Sequence, residues 1–135
     1  MHPKYQRADE SSRLAIGAAI EVHRLKGPGL IDSIDEKCMM RELALQSIQA
    51  AQQIKVPIEY KGLVFEEPLR LDVLLEEHLI LELKLVENVF PIHKAQLLSY
   101  MKLLDTPIGL IINFHSLRLV DGVHRMILPG PNQNP

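Results

Sequence analysis

The sequence predicts a single mixed α/β domain, an α+β arrangement in which helices cover a mixed sheet, and three observations carry that prediction. Apolar residues recur at helical spacing in two early segments. Strand-type runs rich in Val, Ile and Leu then occupy 54–60 and 69–85. A second helical pattern, opening at Pro91, is followed by the continuously apolar "PIGLIINF". The expected order is helix, helix, three strands, helix, strand and a weaker final strand, with the sheet covered by helices.

The first helix is expected over about Asp9 to Lys26, where Leu14, Ala18, Val22 and Leu25 share a stripe and "GPG" at Gly27 to Gly29 stops it. On its wheel Glu21 sits beside that stripe and faces protein, while His23 falls on the opposite side and faces water. A second helix is expected from about Ser33 to Gln52, opened by "SIDE", in which the Ser33 hydroxyl and the Glu36 carboxylate can cap each other's backbone amides. It is apolar on two sides, with Ile34, Cys38, Leu45 and Ile48 on one and Met39, Met40 and Leu43 on the other. Such a helix is sandwiched, within the domain or against a second copy in a homodimer. "IKVPIEY", Ile54 to Tyr60, carries Pro57 and reads as an edge strand or a strand entry. Proline at 91 suits the first turn of the third helix. A last strand is expected around Val123 to Leu128.

Composition sets outer limits. The chain has 135 residues, 47% of them hydrophobic, enough for one well-filled core. We expect one domain over 1–128 and a frayed tail at 129–135, "PGPNQNP". The net charge of −2 gives no global basic signature, so a nucleic-acid partner would be held by a local patch or through metal ions. The lone Cys38 excludes an internal disulfide and a multi-cysteine zinc site. No apolar run approaches the roughly 20 residues that span a bilayer, and "MHPKYQRADESS" lacks the apolar core of a signal peptide, so a cytoplasmic protein without membrane contact is expected.

The informative stretch is "LRLDVLLEEHLILELKL", Leu69 to Leu85, two oily strands interrupted by charge. A three-residue turn at Glu76 to His78 makes Asp72 face Glu82 across the hairpin. Alternation then groups Arg70, Asp72, Glu82 and Lys84 on one face and Leu69, Leu71, Val73, Leu81, Leu83 and Leu85 on the other, the core face. Two directly opposed carboxylates repel unless something positive lies between them, either Lys84 or a divalent cation. Oxygen donors of this type suit Mg²⁺ or Mn²⁺. On the charge pattern alone, a solvated hairpin face with an incidental salt bridge is the simpler account.

Asp72 followed by Glu82-Leu83-Lys84 across a hairpin resembles the D…ExK signature of the PD-(D/E)XK nuclease superfamily. "QLLSY", Gln96 to Tyr100, is similar to the QxxxY motif of its RecB-like branch. From about Leu14 to Leu128 the segments "IGAAIEVHRLKGPGLIDSIDEKCMMREL", "RLDVLL", "ILELKLVENVFPIHKAQLLSYMKLL" and "GLIINFHSLRLVDGVHRMIL" resemble the small bacterial GxxExxY family. The resemblance implies a restriction-endonuclease-like core, helix, three-stranded meander, helix and strand, with an extra N-terminal helix. It further implies that Asp72 and Glu82 hold Mg²⁺ or Mn²⁺, that Lys84 assists the attacking water, and that an acid on the preceding helix, best matched by Glu36, completes the catalytic set. Glu21 is a lesser match.

Gln96 and Tyr100, one turn apart on one helix face, then reach the site or a nucleic-acid strand. Tyr100 reads equally as a core aromatic, and Gln96 also as a hydrogen-bond partner of Lys84 or a carboxylate. His93 and Lys94, in the first turn of that helix, are further candidates for nucleic-acid contact, and His115, Arg118, His124 and Arg125 for a positive rim. "GLIDSID" keeps Gly29 of the GxxExxY pattern but has Asp32 for its usual glutamate and Asp35 for its usual tyrosine. The expectation is a metal-dependent nuclease acting on DNA rather than RNA. The alternative is a nuclease-fold protein that binds nucleic acid or a partner without useful catalysis.

Overall fold

The structure, a computed structural model, describes residues 2–29 and 31–129, with only the backbone of 32 and 66–68. The expected fraying of the tail at 130–135 and the side chain of the substituted Asp32 lie outside the described residues.

Helix α1 (Tyr5–Lys26) ends where Gly27 adopts φ 82. Its buried face is Ala8, Ser11, Ser12, Ala15, Ala18, Ala19 and Val22. Of the leucine stripe expected to anchor it, Ala18 and Val22 are buried, but Leu14 and Leu25 stay 48% and 63% exposed. Small side chains let the helix axis approach its neighbours closely, so alanine and serine take the inner face and the larger leucines are left outside. The expected roles of Glu21 and His23 exchange with that rotation. His23 Nε2 donates to the Ser116 carbonyl at 2.7 Å, whereas Glu21 pairs with Arg24 on the helix surface.

Helix α2 (Asp32–Leu45) is shorter than the Ser33 to Gln52 helix expected. Its N-cap is Ile31 and carries no side-chain cap, which places Ser33 inside the first turn and removes the expected Ser33–Glu36 box. After Leu45 the chain reverses through Ser47, at φ 60, and Ala50 begins a strand. Residues 50–53 have helix-tolerant side chains, but pairing with the neighbouring strand outweighs that weak preference.

The strands are β1 (Ala50–Tyr60), β2 (Leu63–Leu75), β3 (Leu79–Lys84), β4 (Ile108–Asn113) and β5 (Val123–Ile127), with α3 (Pro91–Leu104) between β3 and β4. They form one sheet in the order β1-β2-β3-β4-β5, antiparallel except for the parallel β3–β4 pair, whose crossover is α3. β1 is an edge strand, as Pro57 predicted. A 3₁₀ turn at Leu119–Gly122, not expected from the sequence, precedes β5.

Both faces of the sheet are covered. Val73, Leu75, Leu81, Leu83, Leu110 and Ile112 pack with α1 and α2, while Ile80 and Ile111 pack with Leu97, Tyr100 and Met101 of α3. The face assigned to charge is therefore a second core, and all of β3 is buried up to Lys84.

The β1–β2 ribbon shifts register between Val56 and Ile58, and nearer the site its alternation also fails. Ala50, Val73 and Leu75 belong to the α1/α2 side, yet Val56, Leu69 and Leu71 belong to the α3 side. Strict alternation would have kept Leu69, Leu71 and Val73 together, as the sequence predicted. The break lies at Gln53, which adopts φ 52. Gln53 falls opposite Asp72, between the pairs Gln52↔Val73 and Ile54↔Leu71.

Candidate functional site

The β2–β3 hairpin has the expected register, Val73↔Leu81, Leu74↔Ile80 and Leu75↔Leu79, around a turn at Glu76 to His78. The ladder ends at Val73↔Leu81, so Asp72 and Glu82 stand opposite each other where the two strands part. The Leu83 backbone amide donates to Asp72 Oδ2 at 2.8 Å, taking the place of a ladder bond and holding the carboxylate over β3.

Glu82 is only 6% exposed. Burial, then the charge of Asp72 and a hydrogen bond with it, push the Glu82 carboxyl up to about 8 from the ordinary 4.5, with Lys84 pulling the other way. Its Oε1 is buried and has no hydrogen-bond partner among the described residues. Such an orphaned oxygen is costly unless a proton or a cation compensates it.

Lys84 is half-buried at the end of β3. Its carbonyl accepts from Phe114 N at 3.0 Å, and just beyond it Asn113 fastens the chain: Nδ2 donates to the Val86 carbonyl at 2.7 Å, and Oδ1 accepts from Val86 N at 3.2 Å. Asn113 was missed in the sequence, where it reads as the polar end of an apolar strand.

On the α3 side, Tyr100 is 7% exposed. Its hydroxyl is raised by burial first, then by the charges of Glu82 and Asp72, so the ring belongs to the core and the hydroxyl to the neighbourhood of both acids. Gln96 is exposed and lines, with Leu69, Ile92, Ser99, Tyr100 and Leu103, an open groove of about 400 Å³. Gln96 forms no hydrogen bond with Lys84 or either carboxylate among the described residues.

The other candidates have the following surroundings. His93 Nδ1 accepts from the Phe90 amide at 3.0 Å, capping the start of α3. Lys94 is half-buried, and its charge, after burial, holds the His124 imidazole below its ordinary value. Arg125 is engaged by Asp9 at 2.6 Å and Tyr5 at 3.3 Å, tying β5 to α1 instead of joining a positive rim; His115 and Arg118 are exposed. Asp35, where the GxxExxY pattern has tyrosine, is 2% exposed. Glu36 accepts from Gln53 Nε2 at 2.9 Å and Gln52 Nε2 at 3.4 Å. Among the described residues no group of three His, Cys, Asp or Glu side chains gathers as metal ligands.

A larger hollow of about 610 Å³ lies at the hairpin turn, lined by Arg7, Ser11, Glu76 and His78 among others. There Ser11 Oγ and His78 Nε2, both buried, are 2.8 Å apart and tie α1 to the turn. None of the D…ExK residues reaches it.

A model of the PD-(D/E)XK nuclease superfamily matches residues 9–126. No curated protein and no solved structure matches the chain.

Proposed function

The chain belongs to the PD-(D/E)XK nuclease superfamily, and on that premise we propose that it is a metal-dependent nuclease that hydrolyses DNA phosphodiester bonds at Asp72, Glu82 and Lys84. The helix, three-stranded meander, helix and strand from α2 to β4 form its restriction-endonuclease-like core. The observation that carries the reading is the opposed pair of carboxylates with one buried oxygen of Glu82 left without a partner among the described residues.

That donor set fits a small oxygen-seeking cation, Mg²⁺ or Mn²⁺, which would be held by Asp72 and Glu82. When bound, the ion lowers the pKa of water and offsets charge on the phosphoryl group. Glu82 must give up its proton to serve as a ligand, so ion binding strengthens as pH rises towards about 8. Lys84, on the same strand face as Glu82, orients the attacking water and stabilises negative charge developing on the phosphate. Asp72 is held in register by Leu83 N, and Tyr100 closes the α3 side of the pair against solvent. Gln96 and Tyr100 border the groove along which a strand would lie, with His93 and Lys94 at its helix start.

Cleavage of single- and double-stranded DNA in Mg²⁺ or Mn²⁺ tests the assignment. Lys84→Ala and Asp72→Ala should each lower the rate by about 100-fold or more, and unchanged rates in both would sink it. A second reading, a nuclease fold kept for binding, is favoured by the engagement of Glu36 with the glutamines of β1 and by the lack, among the described residues, of a group of three potential metal ligands. Calorimetry separates the two: no heat with Mn²⁺ while Asp72 and Glu82 are intact selects the binding protein. Self-association through α1 and α2, where Leu25 and Leu45 are 63% and 62% exposed, belongs to the same proposal. A sedimentation mass of one chain at high concentration removes it.

A further inference from the structure

Successive residues of a flat strand point to opposite faces. Gln52 and Gln53 do not: the amides of both reach the one carboxylate of Glu36, Gln53 Nε2 lying 2.9 Å from Oε1 and Gln52 Nε2 3.4 Å from Oε2. The left-handed Gln53, at φ 52, makes this geometry available. A non-glycine residue there is strained by about 1–2 kcal/mol, so something must hold it. A carboxylate accepting from two amides is a charge-assisted clamp suited to that task.

The same turn exchanges the faces of the ribbon beyond it, and the residue directly opposite is Asp72, whose carboxylate is aimed at Leu83 N. We propose that Glu36 and Gln53 are positioning residues: α2 clamps the left-handed turn of β1, and the turn aims Asp72 at β3 and the ion site. Glu36 then acts through the backbone and is not itself a ligand. The inference rests on the nuclease reading for its catalytic consequence, but the aim of Asp72 is a geometric matter that can be measured separately.

The Leu83 amide proton reports that aim, because it is the donor to Asp72. In the ¹⁵N-labelled full chain, its resonance in Asp72→Ala marks the lost bond. Glu36→Ala and Gln53→Ala, which loses the amide but keeps the left-handed strain, should both move it towards that position and weaken Mn²⁺ binding by about 10-fold or more. Gln53→Gly adopts the left-handed backbone without strain and needs no clamp, so added to Glu36→Ala it should return the Leu83 resonance towards wild type. Glu36→Gln retains an oxygen that accepts from Gln53 and should keep both the Leu83 resonance and the Mn²⁺ affinity near wild type.

An unmoved Leu83 amide in Glu36→Ala or, where that variant does not fold, in Gln53→Ala overturns the proposal. So does a Glu36→Gln variant as impaired in Mn²⁺ binding as Glu36→Ala, which would make Glu36 a ligand. If the wild-type chain binds no Mn²⁺ and cleaves nothing, the nuclease reading falls, and the Leu83 resonance still decides the positioning role.

Discussion

Replacing Glu82 with glutamine should make the metal-free protein more stable while abolishing its ion site. Below pH 4.5 the folded and unfolded chains both carry the Glu82 proton, and the residue adds no pH dependence. Between 4.5 and about 8 the unfolded chain releases that proton while the folded one keeps it, so stability falls as pH rises; above about 8 the deficit is constant. At about 1.4 kcal/mol for each pH unit, the deficit reaches about 3 kcal/mol at pH 7 as an upper figure. Glutamine has the same shape and no charge, and its amide can donate to Asp72. Allowing about 1 kcal/mol for an imperfectly paired amide, the variant should be about 2 kcal/mol more stable than wild type at pH 7.

Urea unfolding in EDTA at pH 5, 7 and 8.5 reads this directly. The gap should be near zero at pH 5 and widen with pH. Saturating Mn²⁺ should close or reverse it, since an ion at 100 times its dissociation constant stabilises only the chain that binds it, by about 2.7 kcal/mol. A gap that does not widen between pH 5 and 8.5, or a variant less stable at every pH, refutes the argument that Glu82 is a buried, proton-holding carboxyl.

Two further outcomes concern the scaffold. Gly29 adopts φ 73 and a Cβ there would overlap the Leu85 side chain, so Gly29→Ala should cost about 2 kcal/mol or more by denaturant unfolding, and an unchanged midpoint would show that Leu85 moves aside freely. Glu76 and Glu77 are both left-handed in the β2–β3 turn, at φ 46 and 65, where such turns favour Asn-Gly. Glu77→Gly should therefore raise the thermal midpoint by several degrees, about 1 kcal/mol, and a lowered midpoint would mean the glutamate is held by more than its backbone.

The parts legible in the sequence were those decided by neighbours along the chain. Pro91 opened α3 as expected, the unbroken apolar run of β4 is buried on both faces, and the turn length at Glu76 to His78 set the register that brings Asp72 opposite Glu82. Misreadings arose where distant partners competed with local preference. Residues 50–53 pass for helix until β2 offers them a ladder. Leu14 and Leu25 look like the anchor of α1 until close packing selects Ala15, Ala18 and Ala19. The hydrogen bonds that Glu36 accepts from two glutamines more than fifteen residues away were likewise illegible, because only folding brings them together.

Periodicity and turn chemistry act over a few residues, and they were sufficient for the identity of most elements and for the pairing at the centre of the site. Whether a charged strand face meets water or a second core depends on what packs against it. Here α3 covers that face, and the covering turns Glu82 from a solvated carboxylate into a buried one that holds its proton. The left-handed turn at Gln53, which lets the ribbon change faces beside Asp72, carries no local signal because glutamine is an ordinary strand residue. There α2 presents Glu36 to the amides of Gln52 and Gln53, a contact that forms only in the folded chain.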